Sequence, residues 1–143
     1  MLNAIPPPPR VDSDEYMYFY GFTFDSNDDF YQRVVDPAWY SKKGTEEPDT
    51  GIALRKLENI TGVKMTLVEV YTDDDLTSPD TDILFMLAVA SVSKEHPETS
   101  MQVTRSQLAN IKKEGGFEGV EPKWLMSIWT NEELKKMPYP ELV

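Results

Sequence analysis

The sequence predicts one α+β domain, an antiparallel sheet with helices packed on one face. Three observations carry this reading. The length of 143 residues suits a single hydrophobic core. Segments with period-two or continuous apolar character alternate with segments whose apolar residues recur every three or four positions. Capping residues, glycines and prolines fall between them, where such elements must start and stop.

Residues 1–14 form the first unit, a flexible arm. Pro6 to Pro9 lack backbone donors and favour polyproline II. The α+β domain follows over 15–143. Tyr16 to Phe24 is the strongest strand, aromatic and bounded by Asp, Ser and Asn. Its period of two places Tyr16, Tyr18, Tyr20, Phe22 and Phe24 on one face, and Met17, Phe19, Gly21 and Thr23 on the other. Ser26 or Asn27 then caps a helix with Asp28 and Asp29 in its first turn and Phe30, Val34 and Val35 along its apolar side; Pro37 ends it. Residues 41–49 are a polar loop. Asp49 or Thr50 caps a second helix carrying Ile52, Leu54, Leu57 and Ile60, and Gly62 stands where a C-terminal glycine belongs.

Val63 to Tyr71 alternates as a strand, and residues 72–82 (TDDDLTSPDTD) are an acidic, turn-rich loop. Ile83 to Val92 is continuously apolar and reads as a central strand buried on both faces. Thr104 and Gln107 form a capping box ahead of Leu108 and Ile111, and Gly115-Gly116 stops that helix. Residues 122–129 fit either a strand or a helix begun by Pro122. Thr130 with Glu133 forms a second capping box, opening a short helix through Met137.

The order β-αα-β-β-α-(β)-α resembles the ferredoxin-like plait, a split βαβ arrangement with helices on one face of a four-stranded antiparallel sheet. The expected core is Phe19, Leu57, Ile60, Leu67, Ile83, Phe85, Leu87, Val89, Leu108 and Ile111. A right-handed crossover makes the first two strands parallel, so their C-terminal ends share one edge of the sheet.

Charge is the sharpest functional clue. Twenty-five acids against fourteen bases give a net charge of −11, a field that repels phosphate backbones and argues against nucleic acid. Two stretches lack Lys and Arg: Arg10 to Arg33, holding Asp25, Asp28 and Asp29, and Lys64 to Lys94, holding Asp73, Asp74, Asp75, Asp80 and Asp82. These eight carboxylates form the candidate acidic edge for a basic protein partner. They lack the glycine and the distal Glu of a calcium loop, so no metal site is assigned.

No apolar run is long enough to span a bilayer, so no membrane is expected, and the absence of cysteine suits the reducing cytoplasm. No nucleotide-binding, nucleophile-elbow or zinc-protease pattern occurs, and His96 is the sole histidine. No catalytic residue and no cofactor are therefore assigned. Tyr20-Gly21-Phe22-Thr23-Phe24 resembles in part the aromatic motif of RNA-recognition domains, but Tyr20 replaces the basic residue and the motif lies on the first strand, not the third. Pro6 to Arg10 departs in arginine spacing from an SH3 ligand and reads as a solvated leader.

Two functions follow. The first is a non-enzymatic acidic interaction domain, an inhibitor or adaptor for a basic partner. The alternative is a plait-type homodimeric enzyme or binding protein for a small molecule, with Tyr16, Tyr18, Tyr20, Phe22 and Phe24 as the pocket wall or self-association face.

Overall fold

The computed structural model describes residues 5–11, 14–24, 50–72, 82–95 and 103–136. These form β1 (Tyr18–Phe24), α1 (Thr50–Thr61), β2 (Thr66–Tyr71), β3 (Ile83–Val92), α2 (Arg105–Glu114), β4 (Lys123–Met126) and α3 (Asn131–Lys135). The helix expected after Ser26 or Asn27 lies outside the described residues, as does His96.

The four strands make one antiparallel sheet in the order β2-β3-β1-β4. β1 and β2 both pair with β3 in the antiparallel sense, so they run parallel to each other. The apolar segment 83–92 is the central strand its composition predicts: Met86 to Ala90 are buried between β1 and β2. The ambiguous segment 122–129 contains the strand β4, paired with β1 from Gly21↔Lys123 to Tyr18↔Met126.

The chain signals at helix ends act locally. Gly62 follows α1 with φ +73° and donates its N–H to the Glu58 carbonyl at 2.8 Å. Thr104 caps α2 through a reciprocal pair with Gln107, and Thr130 caps α3 in the same way with Glu133.

Each face of the sheet carries its own cluster. Tyr20, Phe22, Phe24, Leu87 and Val89 meet Leu54 and Leu57 from α1 and Ile111 from α2, while Phe117 stacks on Phe22 with ring centroids 5.0 Å apart. On the opposite face Phe19, Val70, Met86 and Leu125 pack with Leu134 of α3. The expectation that helices occupy one face thus holds for α1 and α2 but not for α3. The Asn131 N–H donates to the Glu15 carbonyl at 2.7 Å, and this bond ties the start of α3 beside the segment leading into β1.

The sheet is strongly curled around this second cluster. Ser127, directly after β4, donates its N–H to Met17 and bridges to Val70 of β2; Ile128 donates to the Glu69 carbonyl at 3.1 Å. The two outer strands therefore meet, covering part of the edge that β2 would otherwise expose.

Two core assignments are corrected. Ile60 is 44% exposed and Ile83 is 49% exposed. Leu54, Leu57 and Thr61 define the inward stripe of α1, and Ile60 lies at its border. Ile83 stands beyond the end of β1, whose last pair is Phe24↔Phe85, so among the described strands β2 alone flanks it. Phe19, Leu57, Leu87, Val89 and Ile111 are fully buried, and Leu67, Phe85 and Leu108 pack partly buried against the cluster that holds the last four.

The proline arm begins on the domain. Ile5 is buried in the first cluster, and the Trp124 indole N–H donates to the Pro6 carbonyl at 3.2 Å.

Candidate functional site

Because β1 and β2 are parallel, their C-terminal residues Phe24 and Tyr71 lie at one end of the sheet. The segment 25–49 leaves from the first of them, and the β2–β3 connection leaves from the second. At the base of that connection the Thr72 N–H donates to the Asp82 carbonyl, and the Asp82 N–H donates to the Thr72 hydroxyl, both at 2.9 Å. Of the eight predicted acidic-edge residues, Asp25, Asp28, Asp29, Asp73, Asp74, Asp75 and Asp80 lie outside the described residues. Asp82 is exposed, and its Oδ1 accepts the Ile83 N–H at 2.8 Å. It therefore has a local role at the start of β3 that sequence reading missed, although an Asp preceding a strand is a familiar local acceptor.

The charge divides sharply between the described and remaining residues. The described residues carry eleven acids and eleven bases, out of 25 and 14 in the chain, so fourteen acids and three bases fall elsewhere. The whole net charge of −11 thus belongs to the other segments. Residues 73–81 hold four Asp and no base, and residues 25–49 hold seven acids against Arg33, Lys42 and Lys43.

The aromatic strand is distributed differently from the acids. Phe22 and Phe24 are buried under α1, α2 and Phe117; Tyr16 and Tyr18 are half-buried. Tyr20 is only 4% exposed, and its ring leans on Trp124 with centroids 5.3 Å apart. Tyr20 and Phe22 also floor an open cleft of about 360 Å³ against α2, with Arg105, Leu108 and Lys112 along one side and Glu121 on the other. The helical spacing of residues 105, 108 and 112 puts them on one face, which is why a single helix can line the site. Lys112 Nζ pairs with Glu121 Oε1 at 3.2 Å. Burial raises the Tyr20 pKa, and the nearby Glu121 charge raises it further, so the phenol stays protonated and able to donate. Sequence reading placed Tyr20 and Phe22 at a site but missed Arg105, Lys112 and Glu121, since no local motif joins a strand, a helix face and a later turn.

Among the described residues no group of three or more His, Cys, Asp or Glu could hold a metal ion. No helix among them is long and apolar enough to cross a membrane. No family profile, curated protein or solved structure matches the chain.

Proposed function

We propose that this is an acidic interaction domain of the cytoplasm, an inhibitor or adaptor that presents carboxylates at one end of its sheet to a basic protein surface. One observation carries the reading: the parallel β1 and β2 send two base-poor acidic segments out from the same end of a domain whose described residues are electrically balanced. A concentrated charge of one sign steers an oppositely charged partner and raises the association rate more than the final affinity. We further read the architecture as ferredoxin-like. The strand order and the parallel pair flanking β3 support that reading, while the contact of Ser127 with β2 adds curvature to a simple plait.

The test is affinity capture from the native host followed by salt elution, with Asp73, Asp74 and Asp75 replaced together by Asn. A charge-driven complex elutes at modest ionic strength, and the triple variant captures less of the same basic protein. Equal capture by wild type and variant contradicts the proposal.

A further inference from the structure

The N-terminal arm is held by its own domain in a way that the acidic interaction surface does not use. Ile5 is buried in the cluster that contains Tyr20, and the partly buried Trp124 packs against that cluster, its ring leaning on Tyr20. The Trp124 indole N–H donates to the Pro6 carbonyl at 3.2 Å. From there Pro6 and Pro7 are exposed, Pro8 and Pro9 are partly buried, and no residue from 6 to 11 belongs to a helix or a strand. The domain thus reads two features of the arm, an apolar side chain and the carbonyl of the proline that follows it. Four consecutive prolines donate no backbone hydrogen bond and hold the chain near polyproline II, so little order is lost when the segment docks. An indole suits such a segment: polyproline II leaves its carbonyls without internal partners, and indole can only donate. Aromatic surfaces recognise proline-rich peptides in this mode.

We propose that the slot beside Trp124 is a docking site for a proline-rich peptide of the form apolar-Pro-Pro, and that the chain's own residues 5–9 fill it as a displaceable intramolecular ligand. The seated arm identifies the occupant, since its sequence is one that fits. Asp14 anchors the entry to β1 independently of the arm: its carbonyl accepts from the Asn131 side chain at 3.2 Å, and its carboxylate pairs with Lys94 at 3.2 Å. The short tether between Ile5 and Asp14 keeps the arm at an effective concentration on the order of mM. The arm therefore sets a threshold, which a partner peptide passes by binding more tightly than residues 5–9 or by being concentrated locally. This inference is independent of the acidic sheet end, since none of these residues belongs to it.

The experiment is titration of the isotope-labelled full chain with the peptide AIPPPPR, the sequence of residues 4–10, followed by NMR at the Trp124 indole N–H. Trp124→Phe assigns that signal among the three tryptophans. Wild type and Ile5→Ala are compared. Loss of the Ile5 side chain frees the slot, so the peptide should shift the Trp124 signal saturably and bind Ile5→Ala about tenfold more tightly than wild type, the scale of one buried aliphatic side chain. The shift should end near the wild-type position, because the same bond is restored. A control peptide with Ser in place of Ile should bind about tenfold more weakly. Ile5→Ala should melt close to wild type, since release of the arm is a local opening that leaves the sheet intact. An Ile5→Ala chain that fails to fold would make the arm part of the core and overturn the proposal. So would a peptide that leaves the Trp124 signal unmoved, equal affinity for the two chains, or a control peptide as tight as the first. Concentration-dependent dimers of wild type that vanish in Ile5→Ala would give the slot to a second copy's arm and overturn the partner assignment.

Discussion

Gly21 fixes how β1 meets β3. A Cβ at this position would stand 2.0 Å from the Leu87 carbonyl oxygen and 2.8 Å from Ala88 Cα, both backbone atoms that cannot turn aside. The register slips here, from Tyr20↔Ala90 to Gly21↔Ala88, so the close approach belongs to a bulge. Gly21→Ala should therefore destabilise the fold by about 1–3 kcal/mol, read as a lower urea midpoint with the slope unchanged. The two apolar residues Leu57 and Ile60 form a second residue-level contrast. Leu57→Ala empties a fully buried site and should cost about 2–5 kcal/mol. Ile60→Ala removes a side chain that is already 44% exposed, and its unfolding midpoint should move far less. Equal losses at the two positions would contradict the α1 packing described above. Side-chain periodicity made Leu57 legible from sequence; Ile60 was not, because a helical stripe shows its centre more clearly than its borders.

At the scale of elements, ends proved more legible than tertiary placement. Gly62, the Thr104–Gln107 box and the Thr130–Glu133 box each act within four residues, so sequence alone locates them. Thr104→Ala should lower stability by about 1 kcal/mol, measured by thermal or urea unfolding. Glu133 adds a pH signature. Hydrogen bonds from the Thr130 backbone and then its hydroxyl lower the Glu133 pKa, so the folded state favours the ionised carboxylate. Its contribution is complete above the ordinary carboxylate range and is lost as pH falls through the depressed folded value. Comparing Glu133→Gln with wild type across that interval should show the difference in stability shrinking toward acid. A pH-independent difference would remove the ionised cap. The placement of α3 was not legible in the same way. Its sequence announces a capped helix, but the contacts that hold it on the second face of the sheet are long-range, the Asn131 bonds to Glu15 and Asp14 and the packing of Leu134.

At the scale of the whole molecule, β1 and β2 run parallel, so two separate stretches of sequence begin from the same end of the sheet. The alternation of strand and helix signals was enough to anticipate the parallel pair, because a crossover constrains direction without any knowledge of side-chain contacts. Curling of the sheet through Ser127 was not readable, since it joins Val70 to a residue 57 positions later through backbone geometry alone. The cleft was half readable: aromatic alternation marked Tyr20 and Phe22, while Arg105 and Glu121 reach them only through the fold. The acidic segments were visible as charge runs, and topology supplies the reason to treat them together.

The direct measurement is the association rate of an oligolysine peptide, recorded against ionic strength, for wild type, Asp73/Asp74/Asp75→Asn, Asp25/Asp28/Asp29→Asn and the combined variant. If both segments act on one partner surface, each triple substitution should slow association and flatten its salt dependence, and the combined variant should slow it most, while dissociation changes less. Association that is unchanged in all three variants, or that depends on only one of the two segments, would contradict a shared acidic end.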